Sequence, residues 1–258
     1  MRKPQAPDGA VTVTFLNLAR DCFTFGVGAS IAPTTPGAPQ WVAAHPTPTG
    51  GDPRTPVCFA AAMDVLEAIA LRRSTGRLNE PAPTPDQLSL LLDAAACAPD
   101  HGTLRPWQFI VLEGEEKDDF GAVLADAYLE RCRAAGTEPV PAKHDKERTK
   151  LGRAPMVVVV AVEPVAGSIP TIEQVSAGAA ATQNILLAAT ALGLGSMWRT
   201  GDPCYDPKVR AALGLSETAL MLGFVYLGTA APGSLDQPRP ARHADGNARS
   251  LSRGAQPR

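Results

Sequence analysis

The chain has 258 residues, 45% of them apolar, and its formal net charge at pH 7 is −2. This length and apolar content are sufficient for one domain with a hydrophobic core, and they do not require a second. The small net charge provides no basic field for a phosphate backbone, which argues against nucleic-acid binding. No apolar run approaches the roughly 20 residues that span a bilayer, and no signal-peptide core follows Met1. We therefore expect a protein that is neither exported nor bound to a membrane.

The cysteines favour the cytoplasm and argue against a metal site. They are widely scattered and odd in number, without the paired spacing of a zinc site or a disulfide framework: Cys22, Cys58, Cys97, Cys132 and Cys204. We expect them to be reduced thiols, as is usual for cytoplasmic proteins.

The composition changes near residue 63. Residues 1–62 are rich in Pro, Gly, Thr and Ala and have no sustained helical or alternating pattern. We expect this segment to be a disordered extension, or Met63 to be the natural start of translation. Residues 231–258 form a polar tail, which leaves 63–230 as the folded domain.

The first predicted elements are two helices. Apolar residues at helical spacing over 65–70 predict a short helix that ends at Arg72-Arg73-Ser74. Thr84-Pro85-Asp86-Gln87 has the pattern of a capping box, with a hydroxyl at the N-cap and proline at the first helical position. It predicts a second helix that ends near Cys97.

The remaining elements mix strands and helices in the pattern of an α+β fold. Strands are predicted over 107–112, 156–162 and 221–228, and helices over 115–135, over 173–192 and from Asp206-Pro207. The continuous apolar run at 156–162 predicts a strand buried on both faces. Gly193 follows the alanine-rich 173–192 helix, where a left-handed cap is expected.

Two stretches carry candidate phosphate-binding groups. Arg72 and Arg73 offer planar guanidinium groups that bind a phosphate through two hydrogen bonds, and Ser74 adds a hydroxyl donor. Arg199 and Thr200 offer a second such set. The alternative for Arg72 and Arg73 is that they only complement the negative end of a helix dipole.

Other candidate residues also have simpler explanations. Trp107 and Trp198 are of a type that usually packs in a core, and His101 is of a type that usually hydrogen-bonds within a loop. Thr84 and Gln87 have ordinary helix capping as their alternative. Gly193-Leu194-Gly195 follows a helix and lacks the complete dinucleotide-binding fingerprint, and no P-loop sequence is present.

Three stretches in this order, Leu71–Ser74, Ala98–Trp107 and Gly193–Gly201, resemble the nitroreductase family, and most of all its small bacterial members. The resemblance extends from Met63 to about Thr229. It implies an α/β/α sandwich with a central, mainly antiparallel sheet, assembled as an intertwined homodimer with one FMN in each interface cleft. It also implies a ping-pong reaction in which hydride passes from NAD(P)H through flavin N5 to a nitroaromatic, quinone or similar acceptor.

The resemblance further implies roles for individual residues. Arg72, Arg73 and Ser74 would hold the FMN phosphate and ribityl chain, joined from the same subunit by the Trp198-Arg199-Thr200 segment. Cys97 and His101 would approach that flavin from the other subunit. Thr84, Gln87 and Gly193 would lie on the NAD(P) side. Since the flavin carries the chemistry, no catalytic side chain and no metal are expected.

Two departures and two alternatives accompany this prediction. Cys97 stands where a relative could use a longer polar side chain, and residues 1–62 match nothing in the compact members. A non-catalytic flavin-binding or redox-sensing protein is the first alternative to an enzyme. The second is a protein without flavin whose arginines bind another phosphorylated metabolite.

Overall fold

The computed structural model describes residues 63–234, which form an α+β unit. The α-helices are α1 (Val65–Leu71), α2 (Pro85–Ala96), α3 (Gly114–Ala134), α4 (Pro141–Thr149), α5 (Thr171–Ala191) and α6 (Pro207–Ala212). The strands are β1 (Leu78–Asn79), β2 (Trp107–Glu113), β3 (Met156–Val162), β4 (Gly195–Arg199) and β5 (Leu220–Ala230). The expected extension at 1–62 and nearly all of the expected tail lie outside the described residues.

A five-stranded sheet with antiparallel pairing forms the middle of the fold. The long strand β5 pairs with β3, β4 and β1, and β3 also pairs with β2. Val158 of β3 lies opposite Val225 of β5 and opposite Val111 of β2. The predicted mainly antiparallel sheet is thus confirmed.

Helices cover both faces of this sheet, because side chains alternate between the faces along each strand. Along β3, Val157 and Val159 pack into the core beneath α3 and α6. Val158 and Val160 pack into the core beneath α2 and α5. Every residue of β3 is buried. The predicted strand buried on both faces is confirmed, and the arrangement is the expected α/β/α sandwich.

Helix α5 lies close to the sheet because it carries a glycine at the contact. A Cβ atom at Gly178 would lie 2.5 Å from Val162 Cγ2 and 2.7 Å from Leu222 Cδ1. The helix ends as predicted, since Gly193 has a φ of +72°. Within residues 63–234, no helix is both long enough and apolar enough to cross a bilayer.

The structure contains three elements that the sequence patterns do not predict: β1, β4 and α4. Strand β1 has only two residues, and β4 begins with Gly195-Ser196 immediately after the α5 cap. Helix α4 has the sequence PAKHDKERT, and only Glu147 of it is buried. Because α4 has no apolar stripe, hydrophobic periodicity gives no signal for it.

Candidate functional site

The Arg72-Arg73-Ser74 segment lies beside the start of β4. Arg72 caps the C-terminus of α1, and its ψ of 123° turns the chain out of the helix. Ser74 forms a parallel bridge with Ser196. The backbone N–H of Thr75 donates to the carbonyl oxygen of Ser196 over 3.0 Å. The structure therefore brings two of the predicted stretches together at the level of the backbone.

A cavity of about 190 Å³ opens next to this bridge, and we call it the Arg73 cavity. It is lined by Met63, Leu71, Arg73, Thr75, Thr190, Gly193, Leu194 and Gly195. It therefore places Gly193, predicted on the nucleotide side, with Arg73, predicted on the flavin phosphate. A Cβ atom added at Gly193 would meet no atom within 4 Å, so the space there is open.

One buried hydroxyl in the Arg73 cavity lacks a partner. The side-chain oxygen of Thr75 is buried and makes no hydrogen bond to any of residues 63–234. Burying a hydroxyl without a hydrogen bond costs free energy, so a ligand oxygen in the cavity would relieve that cost. With the guanidinium group of Arg73, this hydroxyl offers donors suited to a phosphate or a polyol.

The Trp198-Arg199-Thr200 segment is divided between the two faces of the sheet. The indole N–H of Trp198 donates to the carbonyl oxygen of Leu222 over 2.9 Å, and the ring packs against the core beneath α2 and α5. A Cβ atom at Gly223 would lie 2.5 Å from both Trp198 Nε1 and the carbonyl oxygen of Arg199. Strand β5 therefore needs a glycine at this position for β4 to approach so closely.

Arg199 and Thr200 line a different cavity, of about 220 Å³, which we call the cationic pocket. It lies against the sheet face covered by α3 and α6. Its lining residues are Lys146, Glu147, Lys150, Arg153, Arg199, Thr200, Gly201, Asp202, Pro203, Phe224 and Tyr226. The two cavities share no lining residue. Arg73 and Arg199 therefore line separate cavities.

Cys97 and His101 lie in one loop and line neither cavity. Cys97 is exposed at the C-cap of α2. The His101 side chain is also exposed, and its Nδ1 lies 2.5 Å from Oε2 of Glu173 on α5. This pairing agrees with the simpler explanation of His101 as a loop hydrogen-bonding residue. It leaves the other edge of the ring open toward solvent.

The same loop has a strained backbone. Thr103 and Arg105 have φ values of 56° and 49°, although neither is glycine. Left-handed backbone at such residues is uncommon and is often found at functional sites. The N–H of Arg105 donates to Oδ2 of Asp100 over 2.5 Å, which helps to hold the turn.

Thr84 and Gln87 form the predicted capping box. The N–H of Gln87 donates to the Thr84 hydroxyl over 3.2 Å, and the N–H of Thr84 donates to Oε1 of Gln87 over 2.9 Å. Both side chains are thus used at the N-terminus of α2, and neither lines the Arg73 cavity.

Sequence reasoning missed two sets of site residues. Thr75 directly follows the predicted Arg-Arg-Ser clamp, and a second adjacent hydroxyl is a signal that could have identified it. Lys146, Lys150 and Arg153 occur at intervals of four and three residues, which places cations on one face of a helical segment.

Comparisons with known proteins agree on one family. The sequence profile described as "Nitroreductase family" matches residues 69–229. An Escherichia coli (strain K12) protein named "Putative NAD(P)H nitroreductase YdjA" is 39% identical over 182 residues, which cover 69% of this chain and 96% of that protein. A similarly named Haemophilus influenzae protein is 35% identical and covers 65% of this chain and 89% of its own length.

Two solved structures extend this likeness to the fold. A nitroreductase with bound FMN from Bacteroides fragilis is 26% identical, with a TM-score of 0.58, covering 74% of this chain and 100% of that chain. A nitroreductase-like protein from Bacillus cereus has a TM-score of 0.61 at 23% identity, covering 75% of this chain and 99% of that chain.

Proposed function

The chain belongs to the nitroreductase family, and we propose that it is an oxidoreductase that uses FMN and NAD(P)H to reduce a nitroaromatic, quinone or similar acceptor. The names of the curated relatives include NAD(P)H, and the solved structure from Bacteroides fragilis contains bound FMN. The unpartnered Thr75 hydroxyl beside Arg73 is the structural observation that carries the proposal.

The Arg73 cavity fits the polar end of FMN. Arg73 offers two parallel N–H donors to a phosphate, and Thr75 offers a buried hydroxyl to a phosphate or ribityl oxygen. Arg72 and Ser74 flank this position, and the Ser74–Ser196 bridge joins it to β4, the strand that ends at Arg199. We propose that Arg72, Arg73 and Ser74 bind the flavin in one subunit. The resemblance adds Trp198, Arg199 and Thr200, of which Arg199 and Thr200 line the cationic pocket.

The protein's task is to hold the cofactor and to shape the space beside it. Bound FMN would accept hydride from NAD(P)H and return two electrons to the acceptor. Accordingly, no side chain needs to act as nucleophile, acid or base. Thr84, Gln87 and Gly193 are the residues that we assign to the nucleotide side, with helix capping sufficient to explain the first two.

We propose that the functional unit is a homodimer. Helix α1 buries only Ala68 and exposes most of its apolar residues: Val65 by 62%, Leu66 by 72%, Ile69 by 49% and Leu71 by 43%. No element within residues 63–234 covers this face. Exposed apolar patches of this kind are typical of interaction surfaces.

A second copy on α1 would also complete the flavin site. The resemblance assigns Cys97 and His101 to the flavin of the partner subunit, and we propose the same role here; neither residue lines a cavity of its own chain. A Leu66→Glu variant should then become monomeric by sedimentation and lose FMN at the same time. A monomeric wild-type protein would contradict this assembly.

The domain limits and the location follow the sequence. We propose that residues 63–230 form the flavin-binding domain and that 1–62 are a dispensable extension. Within the described part of the chain, Cys97, Cys132 and Cys204 are all free thiols. Free thiols support our placement of the protein in the cytoplasm.

The visible spectrum of the purified protein tests the function. It is recorded anaerobically, first alone, then with NADPH, then with a quinone or nitroaromatic. A flavin spectrum that bleaches and recovers supports the enzyme. Bound flavin that never bleaches would instead favour a redox sensor, and a colourless protein that FMN cannot reconstitute would exclude the flavin site.

A further inference from the structure

The cationic pocket is formed by two segments that are distant in sequence. One wall consists of α4 and the 3₁₀ turn after it, at Lys150–Arg153, and the other is the loop that follows β4. Phe224 and Tyr226 of β5 form its floor. The pocket therefore lies against β5, the strand that pairs with β1, β3 and β4.

Positive charge exceeds negative charge around this cavity. Glu147 forms a salt bridge with Lys150, since its Oε2 lies 2.6 Å from Nζ of the lysine. Asp202 lies 3.7 Å from the ammonium of Lys143, which is outside the pocket. Among residues 63–234, no carboxylate lies within 4 Å of the charged groups of the other three lining cations: Lys146, Arg153 and Arg199.

Two hydroxyl groups add hydrogen-bond donors. Thr200 lies on the wall, and Tyr226 is 4% exposed, with no hydrogen bond from its hydroxyl to the described residues. Burial raises the pKa of Tyr226 to about 12, although the charges of Arg199 and Arg153 act in the opposite direction. At neutral pH this phenol therefore remains a proton donor.

Three like charges around one concavity repel one another, and a bound anion would remove that repulsion. Guanidinium groups match the oxygens of a tetrahedral anion through paired hydrogen bonds, and ammonium and hydroxyl groups supply further donors. We propose that the cationic pocket binds a phosphoryl group, either inorganic phosphate or the phosphomonoester of a larger ligand. This is a second phosphoryl site, additional to the Arg73 cavity.

The test uses the full chain saturated with FMN, so that the Arg73 cavity is already occupied. Binding of inorganic phosphate is measured by titration calorimetry in a phosphate-free buffer. We expect one saturable site per chain. Losing a hydrogen bond to a charged group should weaken phosphate binding at least about tenfold in Arg153→Gln and in Lys146→Gln. Both residues are exposed, and neither is among the proposed flavin contacts.

Arg133→Gln is the matched control, because Arg133 is also an exposed arginine but lies on α3 outside the pocket. Its affinity for phosphate should match the wild type. Adenosine 2′-phosphate and unphosphorylated adenosine then identify the source of the phosphoryl group. Competition by adenosine 2′-phosphate alone indicates a phosphomonoester ligand, and no competition by either indicates free phosphate.

Three results would overturn the proposal. The first is the absence of saturable phosphate binding. The second is equal phosphate affinity in the wild type, Arg153→Gln and Lys146→Gln. The third is phosphate binding that occurs in the apoprotein and is abolished by FMN loading. The last result would assign the pocket to the flavin itself. Failure of the proposed flavin function is seen separately, since FMN loading is read from the visible spectrum before phosphate is added.

Discussion

Replacing Arg73 with glutamine should separate cofactor binding from folding. Arg73 lines the cavity with the unpartnered Thr75 hydroxyl, and its side chain is half-buried. A hydrogen bond to a charged group contributes about 1.5–3 kcal/mol, so the dissociation constant for FMN should rise about 10- to 150-fold. The substitution leaves the apolar core intact, and we expect the unfolding temperature of the apoprotein to fall by no more than ~2 °C.

Quenching of flavin fluorescence measures FMN affinity, and thermal unfolding of the apoprotein measures stability. Arg77→Gln is the control, since Arg77 is exposed four residues further on and lines neither cavity. It should leave FMN affinity unchanged. If Arg73→Gln lowers stability and FMN affinity in equal measure, Arg73 has a structural role and the phosphate assignment is wrong.

Three further predictions concern packing, capping and the domain limits. Gly178→Ala should cost about 1–3 kcal/mol in urea unfolding, because the new methyl group would overlap Val162 and Leu222, whereas Gly152→Ala, with open space around it, should change stability by less than ~0.5 kcal/mol. Thr84→Ala should lower stability by about 1 kcal/mol, because the helix cap is lost, and should raise the KM for NADPH; an unchanged KM would leave helix capping as the role of Thr84. A chain that begins at Met63 should keep the FMN content and unfolding midpoint of the full chain, and loss of either would show that residues 1–62 are required.

The sequence predicts best where a local signal and the tertiary environment agree. The capping box at Thr84 satisfies backbone donors within one turn, and the apolar run of β3 has no alternative to burial on both faces. Helix α4 shows the opposite case. Its nine residues have no apolar stripe. The helix is supported by tertiary contacts instead, because α4 packs along α3 and the N–H of Val140, at its N-cap, donates to the Tyr128 hydroxyl over 2.9 Å. No local pattern encodes that support.

The division of the Trp198-Arg199-Thr200 segment has the same origin. Three adjacent residues look like one cluster of ligand groups in a sequence, but consecutive residues of a strand point to opposite faces of the sheet. Because β4 was not predicted to be a strand, the alternation could not be applied to it. Its pairing with β5 directs Trp198 to the α5 side and Arg199 to the cationic pocket.

The positions of the two cavities follow from that alternation. The Arg73 cavity depends on residues that end one element and begin another, at the C-terminus of α1 and between α5 and β4. The cationic pocket depends on a strand side chain, Arg199, that meets cations from α4 only through the tertiary fold. Sequence motifs can therefore reveal the first cavity, since its residues belong to short continuous stretches. The second becomes visible only when β4, β5 and α4 are assembled.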